Sequence, residues 1–265
     1  YDGSTFHGWQ KQPGARTVQG HLEQVMSRLF NREILLSGTS RTDAGVHALG
    51  QQASFKADLG VPVEKMALVI NNALCAAEGG GYAKSPIRIL KAEEMPSEFH
   101  ARYDSKGKKY IYRIRDGADG SESDGAAAEG MLRISTNLSL VFERNYVYHV
   151  NEILDEMAMN EAAQYFVGRH DFKSFEASGG SIRETTVRTM SEAQVERTGN
   201  GDIEFHITGN GFLYNMVRIM TGTLVEVGQG KRRPSEIVEI IEAEDRAKAG
   251  HTAPPNGLYL AEVYY

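Results

Sequence analysis

The sequence holds one cysteine, one tryptophan and seven prolines in 265 residues. The lone thiol, Cys75, excludes a disulfide within the chain and fits a reducing compartment such as the cytoplasm. It sits near the end of a helix-like segment and reads as a buried structural thiol. No apolar run approaches the roughly 18 residues that a membrane span needs, so no membrane is expected among the partners. The eight histidines fall singly, without i, i+4 pairs or companion cysteines, and leave no zinc pattern. Nucleotide fingerprints are missing too. Gly79-Gly80-Gly81 precedes no helix with Lys and Ser/Thr, Gly209-Asn210-Gly211 lacks a third glycine, and residues 228–231 lack P-loop spacing. No metal site and no cofactor are expected.

What is present is ordinary in bulk and uneven in detail. Hydrophobic residues make up 41% and charged residues 24%, which suits one large globular domain or two small ones. The net charge of −6 argues against a uniformly basic nucleic-acid binder. Yet residues 99–115 carry six bases (Arg102, Lys106, Lys108, Lys109, Arg113, Arg115) against one acid, Asp104. Residues 116–130 are rich in Gly and Ala, with five acids and no base. The acidic total hides a basic patch.

Periodicity supplies the elements. Val18, Leu22, Val25, Met26, Leu29 and Phe30 form one stripe of a helix over 17–31, with Thr17 as its N-cap. Further helices are predicted over 61–74, 151–166, 211–227 and 234–245. Strands are predicted over 33–37, 51–55, 87–94, 108–115 and 258–265. Residues 184–197 and 203–208 flank Thr198-Gly199-Asn200-Gly201-Asp202, a hairpin signal. In the strand at 108–115, Tyr110, Tyr112 and Ile114 share one face. Those tyrosines suit either RNA bases or a half-buried core. Trp9 reads as packing a loop rather than stacking on a base. His170-Asp171-Phe172 reads as a structural turn and not a catalytic pair, because adjacent strand residues face opposite ways. Residues 116–136 read as a long loop without an assigned role. The order gives an α+β chain of two halves: residues 1–115, a connection over 116–150, and residues 151–265.

The stretch around which the rest is organised is Gly38-Thr39-Ser40-Arg41-Thr42-Asp43-Ala44-Gly45-Val46-His47-Ala48-Leu49-Gly50. It sets one carboxylate, Asp43, in a glycine-flanked loop between two strand-like runs. A lone Asp there, with Arg41 two residues before it, fits a covalent nucleophile or a plain Asx-turn. Arg218 lies among apolar helix residues, where a cation needs an anion or must snorkel to water.

Arg41-Thr42-Asp43-Ala44-Gly45-Val46-His47-Ala48 resembles the active-site loop of the tRNA pseudouridine synthase A family. Other segments are similar to that family in the same order: Tyr1-Asp2-Gly3-Ser4, Gly8-Trp9-Gln10, Phe99-His100-Ala101-Arg102, Lys109-Tyr110-Ile111-Tyr112, His170-Asp171-Phe172, Phe212-Leu213-Tyr214-Asn215-Met216-Val217-Arg218 and residues 252–260. The resemblance implies two pseudo-symmetric ferredoxin-like halves, a joined, mainly antiparallel sheet with helices on one face, and a central cleft. It implies isomerisation of uridine to pseudouridine in the anticodon stem-loop of tRNA, at uridines 38 to 40, by a homodimer that needs no cofactor. Asp43 is then the nucleophile, and Arg218 is expected to pair with it. Tyr110 is expected to stack on the target uracil, and Arg41 to hold the flipped nucleotide or the space it leaves. Arg102, Lys106, Lys108 and Lys109 are expected on phosphates. Ser40 departs from the glycine common before Arg-Thr-Asp. Because a strand precedes Tyr-Asp-Gly-Ser in the family, residues before Tyr1 are expected in the natural protein.

Two other classes compete. A non-catalytic RNA binder would keep the basic strand but has no need of Asp43. A hydrolase using Asp43 would need a second acid or a histidine beside it, and none is matched.

Overall fold

A computed structural model describes residues 1–81, 84–117, 139–180 and 184–265. The expected loop over 116–136 lies outside the described residues except for Asp116 and Gly117. The architecture is mixed α and β, and the chain divides into two compact units. One comprises residues 1–109 and 259–265, the other residues 110–258.

In the first unit, Thr17 accepts from Gly20 N–H and starts helix α1, Val18–Leu29. Its stripe buries Val18, Leu22, Val25 and Met26 against Phe6, Trp9, Ile34 and Leu36. Trp9 is core packing, as its loop context suggests. Helix α2, Val63–Ala77, closes the same core with Met66, Ile70 and Leu74, and Cys75 is buried on it. It runs three residues past its expected end. Gly79, Gly80 and Gly81 follow, all at positive φ, a conformation that stops a helix at little cost.

The strands of this unit are shorter than the apolar runs predict. Ser37–Gly38 (β1) and Ala53–Ser54 (β3) pair, antiparallel, with Gly38 opposite Ala53. His47–Ala48 (β2) runs parallel to the last strand, Leu258–Tyr264 (β9), with the His47 ring stacked on Tyr259 at 4.8 Å. The strand expected over 87–94 does not form. There the Asn71 side chain replaces a ladder: it donates to Ile89 O and accepts from Ile89 N–H, both at 2.8 Å.

Strand β4, Gly107–Arg115, begins in the first unit and continues into the second. Its alternation is as predicted, with Tyr110, Tyr112 and Ile114 all buried. Two short elements follow, helix α3, Ser139–Phe142, and strand β5, Tyr148–His149, which runs parallel to the end of β4. Helix α4, Glu156–Gln164, starts where Asp155 caps Ala158 N–H; residues 151–154, predicted helical, precede that cap. Strand β6, Gly168–Asp171, pairs antiparallel with β7, Val187–Arg197. Residues 170–171 are therefore strand, and a tight turn follows only at Lys173–Phe175. Strand β7 continues through the predicted hairpin into β8, Ile203–Gly209, with Arg197 opposite Ile203 and Thr198 N–H bonded to Asp202 O. The strands of this unit lie in the order β4-β8-β7-β6. Phe166, Phe172, Phe175 and Phe205 are fully buried, and they share the core with helix α5, Met216–Gly228. Helix α6, Glu236–Ala243, buries Ile237, Ile240 and Ile241.

Candidate active site

The Asp43 loop is held by main chain on both sides. Thr42 O accepts from Trp9 N–H (3.1 Å), Gly45 N–H donates to Phe6 O (3.2 Å), and Val46 N–H donates to Asp43 O (3.1 Å). The Tyr1 and Thr42 hydroxyls are 2.7 Å apart. Two glycines make the approach possible. A Cβ on Gly8, whose φ is +84°, would meet Thr42 O at 2.6 Å, and one on Gly38 would meet the Trp9 ring at 2.3 Å. Real Cβ contacts do not come that close, so the backbone lies against these surfaces only because the side chains are missing. The Asp43 side chain is half-buried, and Arg41, two residues before it, is exposed.

The entry to the loop is braced by side chains. Thr39 is 2% exposed. Its hydroxyl sits 3.0 Å from Ala101 O and 2.7 Å from the Tyr265 hydroxyl, which itself donates to Ala101 O. Burial raises the Tyr265 pKa, and the bond to Thr39 opposes that shift. Lys108 places its ammonium 3.1 Å from Thr39 O. One lysine of the basic patch is thus anchored on the loop that carries Asp43. Lys109 beside it is half-buried, while Arg102 and Lys106 are exposed. The Arg102 guanidinium lies over the Tyr103 ring at 5.7 Å.

In the second unit the ring of Tyr110 meets Phe212 edge-on, with centroids 5.0 Å apart. Phe212 belongs to residues 211–215, which were expected to be helical. Instead Asn215 adopts a left-handed conformation (φ 57°), and α5 starts only at Met216. That turn has a consequence for Arg218. Its Nη1 donates to Asn215 Oδ1 and its Nε to Ala253 O, both at 2.7 Å. Ala253 N–H in turn donates to Arg218 O at 3.0 Å. The guanidinium is half-buried and aimed by the turn before its helix and by the 252–254 segment. Tyr112 is fully buried and donates to Pro254 O. Burial drives its pKa well above the ordinary tyrosine value, against the opposing pull of the Arg218 charge.

The structure thus gathers Arg41, Asp43 and Lys108 about one loop, and Tyr110 and Arg218 about the start of α5. Sequence reasoning missed Asn215, Phe212 and Ala253 as their supports. A recognised left-handed Asn would have been the signal, since Asn tolerates that conformation best among residues with a Cβ.

Comparison with known proteins finds relatives that cover the whole chain. A family profile described as tRNA pseudouridine synthase matches residues 1–104 and 162–265. The chain is 41% identical to tRNA pseudouridine synthase A 2 of Clostridium tetani, covering 100% of this chain and 96% of that protein. It is 43% identical to tRNA pseudouridine synthase A of Acetivibrio thermocellus and of Ruminiclostridium cellulolyticum, with the same coverage. On these matches the chain belongs to the tRNA pseudouridine synthase family.

Proposed function

We propose that this pseudouridine synthase isomerises uridines 38 to 40 in the anticodon stem-loop of tRNA, with Asp43 as the nucleophile. The observation that carries the assignment is a half-buried carboxylate on a loop fixed through the main chain at Thr42, Asp43 and Gly45. The reaction breaks the bond from ribose C1′ to uracil N1, turns the base, and joins C1′ to C5. The C5 proton leaves and N1 is protonated, so nothing is gained or lost overall. Asp43 attacks C1′, attacks C6, or first removes a ribose proton; each route needs it ionised. Removal from water would raise its pKa unless a cation compensates. Arg218 is assigned that charge from the family resemblance, and Asn215 Oδ1 and Ala253 O, which accept from its Nη1 and Nε, orient the guanidinium.

A uracil in a stem is reached only by flipping it out, which costs a few kcal/mol. Arg41, exposed beside Asp43, is assigned to the flipped nucleotide or to the gap it leaves. Tyr110 is assigned to the face of the uracil. Its edge-on contact with Phe212 would set the ring plane that the base meets. Arg102, Lys106, Lys108 and Lys109 are assigned to phosphates, so tRNA affinity falls steeply as salt rises. The working form is a homodimer in the cytoplasm, and each subunit has two ferredoxin-like halves with a joined sheet. Among the described residues, no helix is long and apolar enough to cross a membrane.

Mapping pseudouridine in tRNA after incubation with the purified chain tests the activity and the position together. New pseudouridine at 38 to 40 is expected. Product at other positions only would overturn the site choice. Asp43→Asn is expected to bind tRNA as before and to form no product; an active Asp43→Asn would return Asp43 to an Asx-turn.

A further inference from the structure

Backbone pairing between the strands that carry the Asp43 loop ends with Gly38 opposite Ala53. One step on, Thr39 N–H still reaches Gln52 O at 2.9 Å. At the next step a side chain takes the place of the ladder. Ser40 N–H donates to Gln51 Oε1 at 3.2 Å, and Gln51 Nε2 donates to Ser40 O at 2.7 Å. The Gln51 carboxamide imitates a strand partner for one residue. Ser40 is 4% exposed. Water is a poor substitute there, and an unmet peptide group at such a site is costly.

We propose that Gln51 is a positioning residue for the isomerisation. Its carboxamide fixes the peptide from which Arg41, Thr42 and Asp43 leave the strand, and so sets the direction of the Asp43 carboxylate. The inference rests on the assignment of Asp43 given above. A carboxamide presents a donor and an acceptor side by side in one plane, and Asn is a methylene shorter than Gln. The lever is short: only Arg41 and Thr42 separate Ser40 from Asp43. A displacement of about 1 Å at a reacting group is enough to cost about 10²-fold in rate.

The test uses Gln51→Ala and Gln51→Glu in the full chain, with tRNA as substrate and pseudouridine formation as the readout. Gln51→Ala is expected to lower kcat by about 10- to 100-fold while KM and tRNA affinity stay within about twofold. Gln51→Glu separates geometry from mere stability. When ionised it offers Ser40 O no donor; when protonated it regains one and becomes an isostere of glutamine. Its rate relative to the unmodified chain is therefore expected to rise as pH falls from about 8 toward 5, whereas the same ratio for Gln51→Ala stays flat. If Gln51→Ala proves poorly folded, the pH-dependent rescue of Gln51→Glu still decides. An unchanged kcat in Gln51→Ala, a loss confined to KM, or no rescue in Gln51→Glu overturns the proposal. Asp43→Asn serves as the control. If it stays active, the reading of Asp43 fails and the Gln51 role falls with it. If it is inactive while Gln51→Ala is fully active, only the Gln51 role falls.

Discussion

The two units hold their candidate site residues by different means. Around Asp43 the regular strand pairing is short, with two residues each on β1 and β3 and His47–Ala48 beside β9. Isolated main-chain bonds at Thr42, Asp43 and Gly45 add to it, and side chains hold much of the remaining backbone: Gln51 on Ser40, Asn71 on Ile89, and the buried Glu23 accepting from Leu36 N–H, Gln19 and Lys11. In the other unit Tyr110 belongs to a strand of nine residues and Arg218 to a helix of thirteen. A ladder spreads its stabilisation over many similar bonds. A carboxamide clamp concentrates it in one residue. The first arrangement tolerates single changes; the second localises failure, and it leaves the residues beyond the clamp outside any repeating structure.

The largest effect is expected where the chemistry is. Asp43→Asn should reduce pseudouridine formation by about 10⁴-fold or more, as loss of a nucleophile does elsewhere. Arg218→Lys comes next. A lysine keeps the charge but cannot span Asn215 Oδ1 and Ala253 O with two nitrogens in one plane. Roughly a 10²-fold loss in kcat is expected, with melting little changed. A fully active Arg218→Lys would show that charge alone is needed there, and that the turn at Asn215 does not aim it. The family resemblance also gives the Tyr110 hydroxyl a part in proton transfer at C5, so Tyr110→Phe should fold normally and react about 10-fold more slowly, the lower end of what a positioned acid or base contributes. Full activity would reduce Tyr110 to a stacking surface.

Smaller effects bear on the clamps themselves. Asn71→Ala leaves the N–H and C=O of Ile89 without that partner and should destabilise the protein by about 1–3 kcal/mol in urea unfolding. Gln194→Ala, on the exposed face of β7, should cost less than about 0.5 kcal/mol. Equal costs at the two positions would erase the contrast between clamp and ladder.

The same contrast explains what could be read in the sequence. Helix α1, strand β4 and the β7–β8 hairpin were legible, because each declares a period or a turn signal over many residues. The strands at 33–37, 51–55 and 87–94 were overcalled. Ile34, Leu36, Ile87 and Ile89 pack into or against the core, but their backbones pair with side chains such as Asn71 and Glu23, and a lone side chain has no period to betray it. The start of α5 was misread for a related reason: residues 211–215 continue the apolar pattern while Asn215 turns the chain left-handed. At the site, the loop around Asp43 stood out through its motif. Of its braces, Tyr265 is distant in sequence, while Thr39 and Gln51 flank the loop as ordinary polar residues with no period of their own.

The smallest expected effect tests whether α1 and α2 are also joined by a single side chain. His21 on α1 is half-buried, 3.3 Å from Glu78 at the end of α2, and Arg16 reaches the same carboxylate. Burial lowers the His21 pKa below its ordinary 6.5; Glu78 opposes the shift and Arg16 adds to it. A group whose folded pKa is depressed binds fewer protons in the folded chain than in the unfolded one. Stability is therefore fully present above about pH 6.5 and declines as pH falls from there through the lower folded value. His21→Gln removes that titration. Its urea midpoint should fall less between about pH 7 and 5 than that of the unmodified chain, while the two differ little at pH 8. Parallel curves would mean that protonated His21 is as well accommodated as the neutral ring, and that Glu78 outweighs burial at this contact.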